Sequence, residues 1–286
     1  MVDDVVSTLV RRYRIDADSA KKAVEDAFAK SEELRQVVER ETSPPKITRT
    51  RAYKDAVAAI KRNIYYGLRR YSADSESQND LITQLSTLAG APRDDVEAVA
   101  LAIAKSHAST RERLTDRTLF YEQLLSLLDN PRTILDVGSG MQPILFPFDA
   151  LAGTMELYLA LDKDPASVAA VNAYAQATAN DRLIAARWDI RDGWESINEL
   201  SRVNAFDAAF LFKLVPVVER QQPHLLDILS RTPAKKWVIT GSKISLTKRQ
   251  DIERRERSVI QRFCVSTGRR VSHEFSTGEE FGLILE

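Results

Sequence analysis

The chain of 286 residues holds a single cysteine, Cys264, and three histidines, His107, His224 and His273. One thiol excludes an internal disulfide and any cysteine-based zinc cluster, and three imidazoles leave little for a metal centre. There is no run of eighteen apolar residues and no basic-then-apolar leader after Met1, so neither a membrane span nor a signal peptide is expected, and a soluble cytoplasmic chain is. Internal repeats and low-complexity linkers are lacking too. So is net charge: 41 basic side chains balance 41 acidic ones. Taken alone, neutrality argues against a polyanionic partner.

That balance is a sum of segregated parts. Residues 42–71 carry eight basic side chains (Lys46, Arg49, Arg51, Lys54, Lys61, Arg62, Arg69 and Arg70) against Asp55, and residues 235–270 carry eleven against three. Acid-rich stretches such as 72–104, with six acids and one arginine, offset them. Segregation of this kind marks a directed surface. The first hundred or so residues read as helical: 19–40 is rich in Ala, Glu, Lys and Arg, Pro44-Pro45 ends it, and a second helix runs from about 52 to 70. On a 3.6-residue wheel Tyr53, Val57, Ile60, Ile64 and Leu68 share an arc of about 80°, while Arg51, Lys54, Lys61, Arg62 and Arg69 share one of about 100° beside it. One face packs and its neighbour is a positive stripe. Solvated faces normally mix signs, and only Asp55 dilutes this one, which favours a polyanion contact.

Two more helices are expected over 79–89 and 94–105, the latter opened by a Pro-Arg-Asp-Asp turn. Near residue 130 strands begin to alternate with helices. Candidate strands are 133–137, 156–162, 183–189, 206–213, 236–241, 270–275 and 280–285, with helices at 165–178, 223–230 and 248–263. Continuous apolar strands joined by helical crossovers give a mostly parallel, doubly wound α/β sheet of seven strands. The last two strands are joined by only Ser276-Thr277-Gly278-Glu279, too short for a crossover, so they form a terminal antiparallel hairpin. The expected division is an all-helical N-terminal domain, 1–105, and a Rossmann-like domain, 106–286.

The stretch LDVGSGMQP places Asp136, Gly138 and Gly140 at the carboxyl end of the first strand, where such sheets bind ligands. It is no Walker loop, since no Gly-Lys-Ser/Thr follows, and Pro143 stands where a dinucleotide fingerprint needs a third small residue. What remains is a backbone that approaches a ligand lacking a diphosphate. The second strand ends in Asp162, placed to accept two ribose hydroxyls. The third ends in Asp189 and Ile190, a carboxylate for an adenine amino group and an apolar cover for its ring. A single acid at a strand end is commonly a cap or turn residue. Glycines and two acids on consecutive strands together resemble the S-adenosyl-L-methionine site of class I methyltransferases.

More specific are SHASTRERLTDRTLFYEQLL at 106–125 and LFKLVPVVERQ at 211–221. With LDVGSGMQP they resemble the aminoglycoside-resistance 16S ribosomal RNA methyltransferases that act on N7 of a decoding-site guanine, position 1405 in ribosomal numbering. The resemblance covers the catalytic domain and reaches into the helical region, which in that family docks onto the 30S ribosomal subunit. It implies that S-adenosyl-L-methionine is met by His107, Ala108, Ser109 and Arg113 of the HASTRER motif, then by Gly138, Gly140, Asp162, Asp189 and Ile190, with Phe212, Gln221 and Tyr71 completing the set. The Arg113 guanidinium suits a methionine carboxylate, which it can hold by two parallel hydrogen bonds. Arg111 either serves the RNA or pairs with Glu112. Phosphate contacts are expected from Arg49, Arg51, Lys54, Lys61, Arg62, Arg69 and Arg70, and from Lys243, Lys248 and Arg249. Two departures stand out. The family's Ser-Phe-Pro-Thr-Arg/Lys-Ser-Leu run after the fifth strand is here ITGSKISLTKR, 239–249, which keeps Ser245, Leu246 and the positive charge but lacks the proline and the loop glycines. Gln142 also precedes Pro143 where the family carries Asn.

Guanine N7 offers a lone pair and no proton, so methylation there needs orientation and no general base. The chain indeed offers no nucleophile and base constellation: Cys264 lies in a predicted helix as a small apolar residue, and LFKLVP is not the Asn/Asp-Pro-Pro-aromatic motif of amine methylation. Two other readings compete, a small-molecule methyltransferase closed by a helical cap and a non-catalytic RNA or ribosome binder with a degenerate pocket. Against the first, a cap needs no concentrated positive segments; against the second, the expected cofactor positions are intact.

Overall fold

The computed structural model describes residues 2–13, 17–41, 43–70, 75–201, 203–244 and 251–286; the side chains of 4, 11–13, 18–19, 23, 30, 62–70, 75–76, 108–109 and 198–200 are outside that description. Two compact units result, Met1–Ser72 and Ala73–Glu286.

The first unit is a bundle of α1 (Val2–Tyr13), α2 (Ala17–Lys30), α3 (Glu32–Arg40), the short α4 (Pro44–Ile47) and α5 (Arg51–Arg70). Where one helix is expected over 19–40 there are two. Ser31 interrupts it, its hydroxyl accepting from the Leu34 N–H at 3.3 Å and so starting α3 as an N-cap. Val5, Leu9, Ala20, Val24, Leu34, Ile47, Tyr53, Ala56 and Ile60 form the core. Tyr53 and Ile60 thus bury the apolar face expected of α5, while Arg51 and Lys54 on the neighbouring face are exposed.

The second unit opens with α6 (Ser75–Ser86), α7 (Arg93–Ser106), α8 (Ala108–Arg113) and α9 (Arg117–Ser126). Helices α6 and α7 pack on each other and on α10 (Pro165–Ala177), which flanks the sheet, so 73–105 joins the sheet unit rather than the helical unit drawn at 1–105. The reason is burial: Leu85, Val96, Ala100, Ile103 and Ala104 complete one layer of the sheet's own core.

Seven strands follow: β1 (Thr133–Val137), β2 (Leu157–Asp162), β3 (Leu183–Arg187), β4 (Phe206–Phe212), β5 (Ala234–Ser242), β6 (Val271–Ser276) and β7 (Glu280–Leu285). Their order is β3-β2-β1-β4-β5-β7-β6, with β1 to β5 parallel and β7 antiparallel to both neighbours, as expected. Side chains alternate between two apolar layers. Ile134, Tyr158, Ala160, Ala208, Phe210 and Val238 face one; Leu135, Val137, Leu159, Leu161, Ala209, Leu211 and Ile239 face the other. Burial on both faces is why the strands read as continuous apolar runs. The second layer is closed by α11 (Glu195–Ser201), α12 (Leu214–Gln221), α13 (Leu226–Leu229) and α14 (Glu253–Thr267). Cys264 is buried on α14, its thiol pushed up to about 11 by burial. Among the described residues no helix is long and apolar enough to cross a membrane.

Candidate functional site

Gly138 and Gly140 occupy left-handed backbone, with φ of 66° and 53°. That conformation turns the chain sharply off β1 and favours glycine. The Gly138 and Ser139 N–H groups donate to the Leu161 carbonyl at 2.8 and 3.0 Å, tying the turn to the end of β2. Asp162 completes the clamp. One carboxylate oxygen accepts from Gly140 N–H at 2.7 Å and the other from Asp164 N–H at 2.8 Å, and the side chain stays half-exposed with lone pairs to spare. A Cβ on Gly140 would lie 3.1 Å from His107 Cε1, and one on Gly138 would lie 3.0 Å from Leu214. His107, between α7 and α8, and Leu214, at the start of α12, therefore wall the loop on two sides.

Beneath the loop lies Asp136, 1% exposed. Its Oδ2 accepts from the Tyr158 hydroxyl at 2.8 Å, and its Oδ1 has no hydrogen-bond partner among the described residues. Burial raises its pKa to about 7, against the lowering effects of the Tyr158 bond and of Arg113. A buried carboxylate with an open acceptor is a natural seat for a cationic or hydrogen-bond-donating group. The His107 imidazole, whose Nδ1 lies 3.3 Å from the Thr110 hydroxyl, is held below its ordinary pKa chiefly by burial and so is biased toward the neutral form.

Asp189 caps a single 3-10 turn, Ile190–Asp192, in a reciprocal capping box with Asp192. Both of its oxygens are held by Arg191: Nε at 2.9 Å on one and Nη2 at 2.8 Å on the other. This pairing brings the Asp189 pKa down to about 2. The carboxylate is thus fixed in place and ionised at neutral pH, and an adenine amino group would share it with a mostly exposed arginine. Ile190 packs half-buried at the margin of the second layer.

The largest difference from expectation concerns Arg113. Its guanidinium, 4% exposed, forks onto Glu280 of β7, with Nε at 3.1 Å and Nη2 at 2.6 Å, and lies over both the Phe120 and the Phe212 ring at 4.3 and 4.5 Å. The bidentate carboxylate expected from a ligand is supplied by the chain itself. Glu280 also accepts from the Thr240 hydroxyl and lies 3.7 Å from Lys213 Nζ. Lys213, left-handed at φ 56°, ends β4 and donates to Glu112 at 2.7 Å. Glu112 therefore pairs with Lys213, and Arg111 is exposed on α8. This buried charged group was missed in the sequence because its members come from α8, β4, β5 and β7. The antiparallel register that sets Glu280 beside Ser242 brings them together. The one available signal was an acid opening an otherwise apolar strand.

Phe212 lies over the Arg113 guanidinium. Gln221 is not brought to the loop: it is exposed at the far end of α12, about 10 Å along the axis from Leu214. The Ala108 and Ser109 side chains, and Tyr71, lie outside the description, as do Lys248, Arg249 and the side chains of Arg62, Arg69 and Arg70. Arg49, Arg51 and Lys54 are exposed and Lys61 is half-buried. Lys243 is half-buried, its ammonium donating to the Thr277 carbonyl at the hairpin turn, which braces the base of the loop. Among the described residues no group of three metal-ligating side chains is gathered.

Comparison with known proteins places these features among RNA-modifying enzymes. A family model, the ribosomal RNA methyltransferase FmrO, matches residues 24–225. A 16S rRNA (guanine(1405)-N(7))-methyltransferase of Micromonospora echinospora is 30% identical over 172 residues, 59% of each chain. One from Proteus mirabilis is 24% identical over 191 residues, 65% of each. The chain thus spans about three-fifths of the length of the curated relatives it matches. In fold it is similar to the 16S rRNA methyltransferase RmtF, solved in complex with S-adenosyl-L-homocysteine, with a TM-score of 0.60 at 21% identity over 93% of this chain and 97% of that one.

Proposed function

The chain belongs to the FmrO ribosomal RNA methyltransferase family, and from that membership we propose that it methylates N7 of guanine 1405 in the decoding site of 16S rRNA within the 30S subunit, with S-adenosyl-L-methionine as donor, and so confers aminoglycoside resistance. The observation that carries the reading is the Gly138-Ser139-Gly140 loop, clamped to Asp162 over a buried Asp136 whose Oδ1 has no partner among the described residues.

The residues present fit the donor. Asp162 keeps acceptor capacity for ribose hydroxyls, Asp189 and Ile190 take the adenine edge and face, and Asp136 offers its open oxygen to the amino group. Arg113, already forked onto Glu280, serves to hold Glu280 and, through it, Lys213 at the ends of β4 and β7. When bound, the donor supplies an electrophilic methyl group on a sulfonium. Guanine N7 already exposes its lone pair, so the chain's task is to exclude water and set the line of approach. His107 and Leu214 wall the loop, and the exposed Arg49, Arg51 and Lys54 hold RNA phosphates. A ribosomal substrate puts this work in the cytoplasm. A capped small-molecule methyltransferase and a non-catalytic binder are not favoured, since the family is one of ribosomal RNA methyltransferases.

The test is incubation with tritiated methyl donor and, in parallel, intact 30S subunits, naked 16S RNA and candidate small molecules. Label at guanine 1405 is expected. Label confined to small molecules, or retained 30S binding without label, would overturn the proposal.

A further inference from the structure

A cavity of about 690 Å³ opens in the sheet unit away from the glycine loop. Its walls are the first part of α7 and the last turn of α10, whereas His107 follows the other end of α7 and Asp162 precedes α10. Along α7 the lining reaches Leu101, about 9 Å before His107, and along α10 it begins at Tyr174, about 14 Å from that helix's start, so the two places are distinct. The volume falls in the range of small-molecule sites.

Its chemistry is that of a ring-and-anion pocket. Ile144, Phe148 and Tyr174 give an apolar and aromatic wall. Two lining guanidiniums are oriented by backbone carbonyls and form no ion pair among the described residues: Arg117 Nε donates to Leu145 O at 2.9 Å, and Arg182 Nη1 donates to Ala152 O at 2.6 Å. Arg93, on the same rim, is by contrast neutralised by Glu97 at 2.7 Å and Asp149 at 2.6 Å. With Asp181, the remaining lining acid and exposed, three lining carboxylates balance three guanidiniums, and Arg117 and Arg182 are the two that no carboxylate pairs among the described residues. An arginine held through one nitrogen keeps an edge for bidentate binding of a phosphate.

We propose that this cavity is a second ligand site, separate from the donor pocket, for a mononucleotide whose base lies against Phe148 and Tyr174 and whose phosphate is held by Arg117 and Arg182. The nucleotide is either free or one residue of an RNA chain. The inference stands apart from the methyl-transfer reading, because its readout is binding.

Calorimetric titration of the full chain with guanosine 5′-monophosphate, at low salt and with saturating S-adenosyl-L-homocysteine, should give saturable binding. Arg117→Gln and Arg182→Gln should each weaken it by about tenfold or more, in line with loss of a charge-assisted bidentate contact. Ala91→Phe, which puts a ring into the lining and leaves both arginines in the sequence, should weaken it at unchanged melting temperature, and so covers the case in which an arginine variant fails to fold. A hexanucleotide that binds more tightly than the monophosphate and is lost in the same variants identifies RNA as the source; the reverse order identifies the free nucleotide. Absence of binding by both probes, displacement by S-adenosyl-L-homocysteine, or equal affinity for inorganic phosphate would overturn the proposal.

Discussion

Glu280→Gln removes one charge from a buried group while keeping side-chain volume. In the wild type, Glu280 at 3% exposure neutralises Arg113 at 4% and lies 3.7 Å from Lys213, itself only 14% exposed. The substitution leaves a guanidinium buried against two phenylalanine rings without its bidentate partner, Asp136 being the carboxylate still acting on it. Breaking such a pair from one side costs about 3–5 kcal/mol, because the remaining charge stays desolvated. For a unit of about 200 residues each kcal/mol lowers the melting temperature by about 2–4 °C, so a fall of about 6–20 °C is expected. Glu97→Gln is the control: its partner Arg93 is 70% exposed, and an exposed, solvent-screened pair contributes little to stability. Calorimetric melting of both variants gives the comparison. Burial alone would raise the Glu280 pKa, but Arg113, Lys213 and Thr240 together hold it below the ordinary 4.5. A depressed carboxylate contributes its stability above the unfolded pKa and loses it as the pH falls through the folded value. The gap between wild type and Glu280→Gln should therefore narrow as the pH falls below the ordinary 4.5. A further change of Arg113 to Met should recover part of the loss. If Glu280→Gln melts no lower than Glu97→Gln at pH 7, the buried carboxylate is not balancing a desolvated cation and the reasoning fails.

The Asp136 pKa, raised by burial to about 7 from 3.8, carries the opposite sign: the folded chain binds the extra proton, so stability falls as pH rises between those values. Asp136→Asn should remove that slope, and donor binding by the wild type near pH 7 should release protons, measurable by calorimetry in buffers of different ionisation enthalpy; no release means Asp136 does not meet the donor's ammonium. Gly140→Ala, at φ 53° and with its Cβ 3.1 Å from His107, should cost about 1–2 kcal/mol and displace His107, with donor affinity falling at least tenfold; a variant that binds normally shows the loop is not the floor. Asp189→Ala should abolish donor binding in the same assay, whereas unchanged affinity would mean that Asp189 serves only to cap its turn and pair with Arg191. Charge reversal at Lys61, Arg62 and Arg69 should weaken 30S binding and lessen its salt dependence while leaving donor affinity intact, and normal 30S binding would remove the stripe from the interface.

The sheet was largely legible because its strands are buried on both faces, so 133–137 and 280–285 stand out as apolar runs with matching bounds. The hairpin followed from a connection too short for a crossover. Less legible were short helices such as α9 and α12. In α9 the apolar residues do not fall on one side, since Phe120, Tyr121 and Leu124 are buried while Leu119 is exposed, and α12 follows β4 through a single left-handed lysine that no pattern announces. The break at Ser31 was equally quiet, because a serine among good helix formers becomes a cap only when the chain on either side packs in different directions.

The sequence by itself determined the glycine loop and the acids that follow it on β2 and β3, because local geometry makes the ends of parallel strands adjacent whatever surrounds them. It also set the concentration of positive charge on α5. Only the tertiary structure decided where Arg113 spends its hydrogen bonds, that Lys243 braces a turn, and that Gln221 stands away from the loop. Each of these depends on the register between β5 and β7 or on the direction of a helix. Those are long-range choices, made by the burial of whole faces rather than by neighbouring residues.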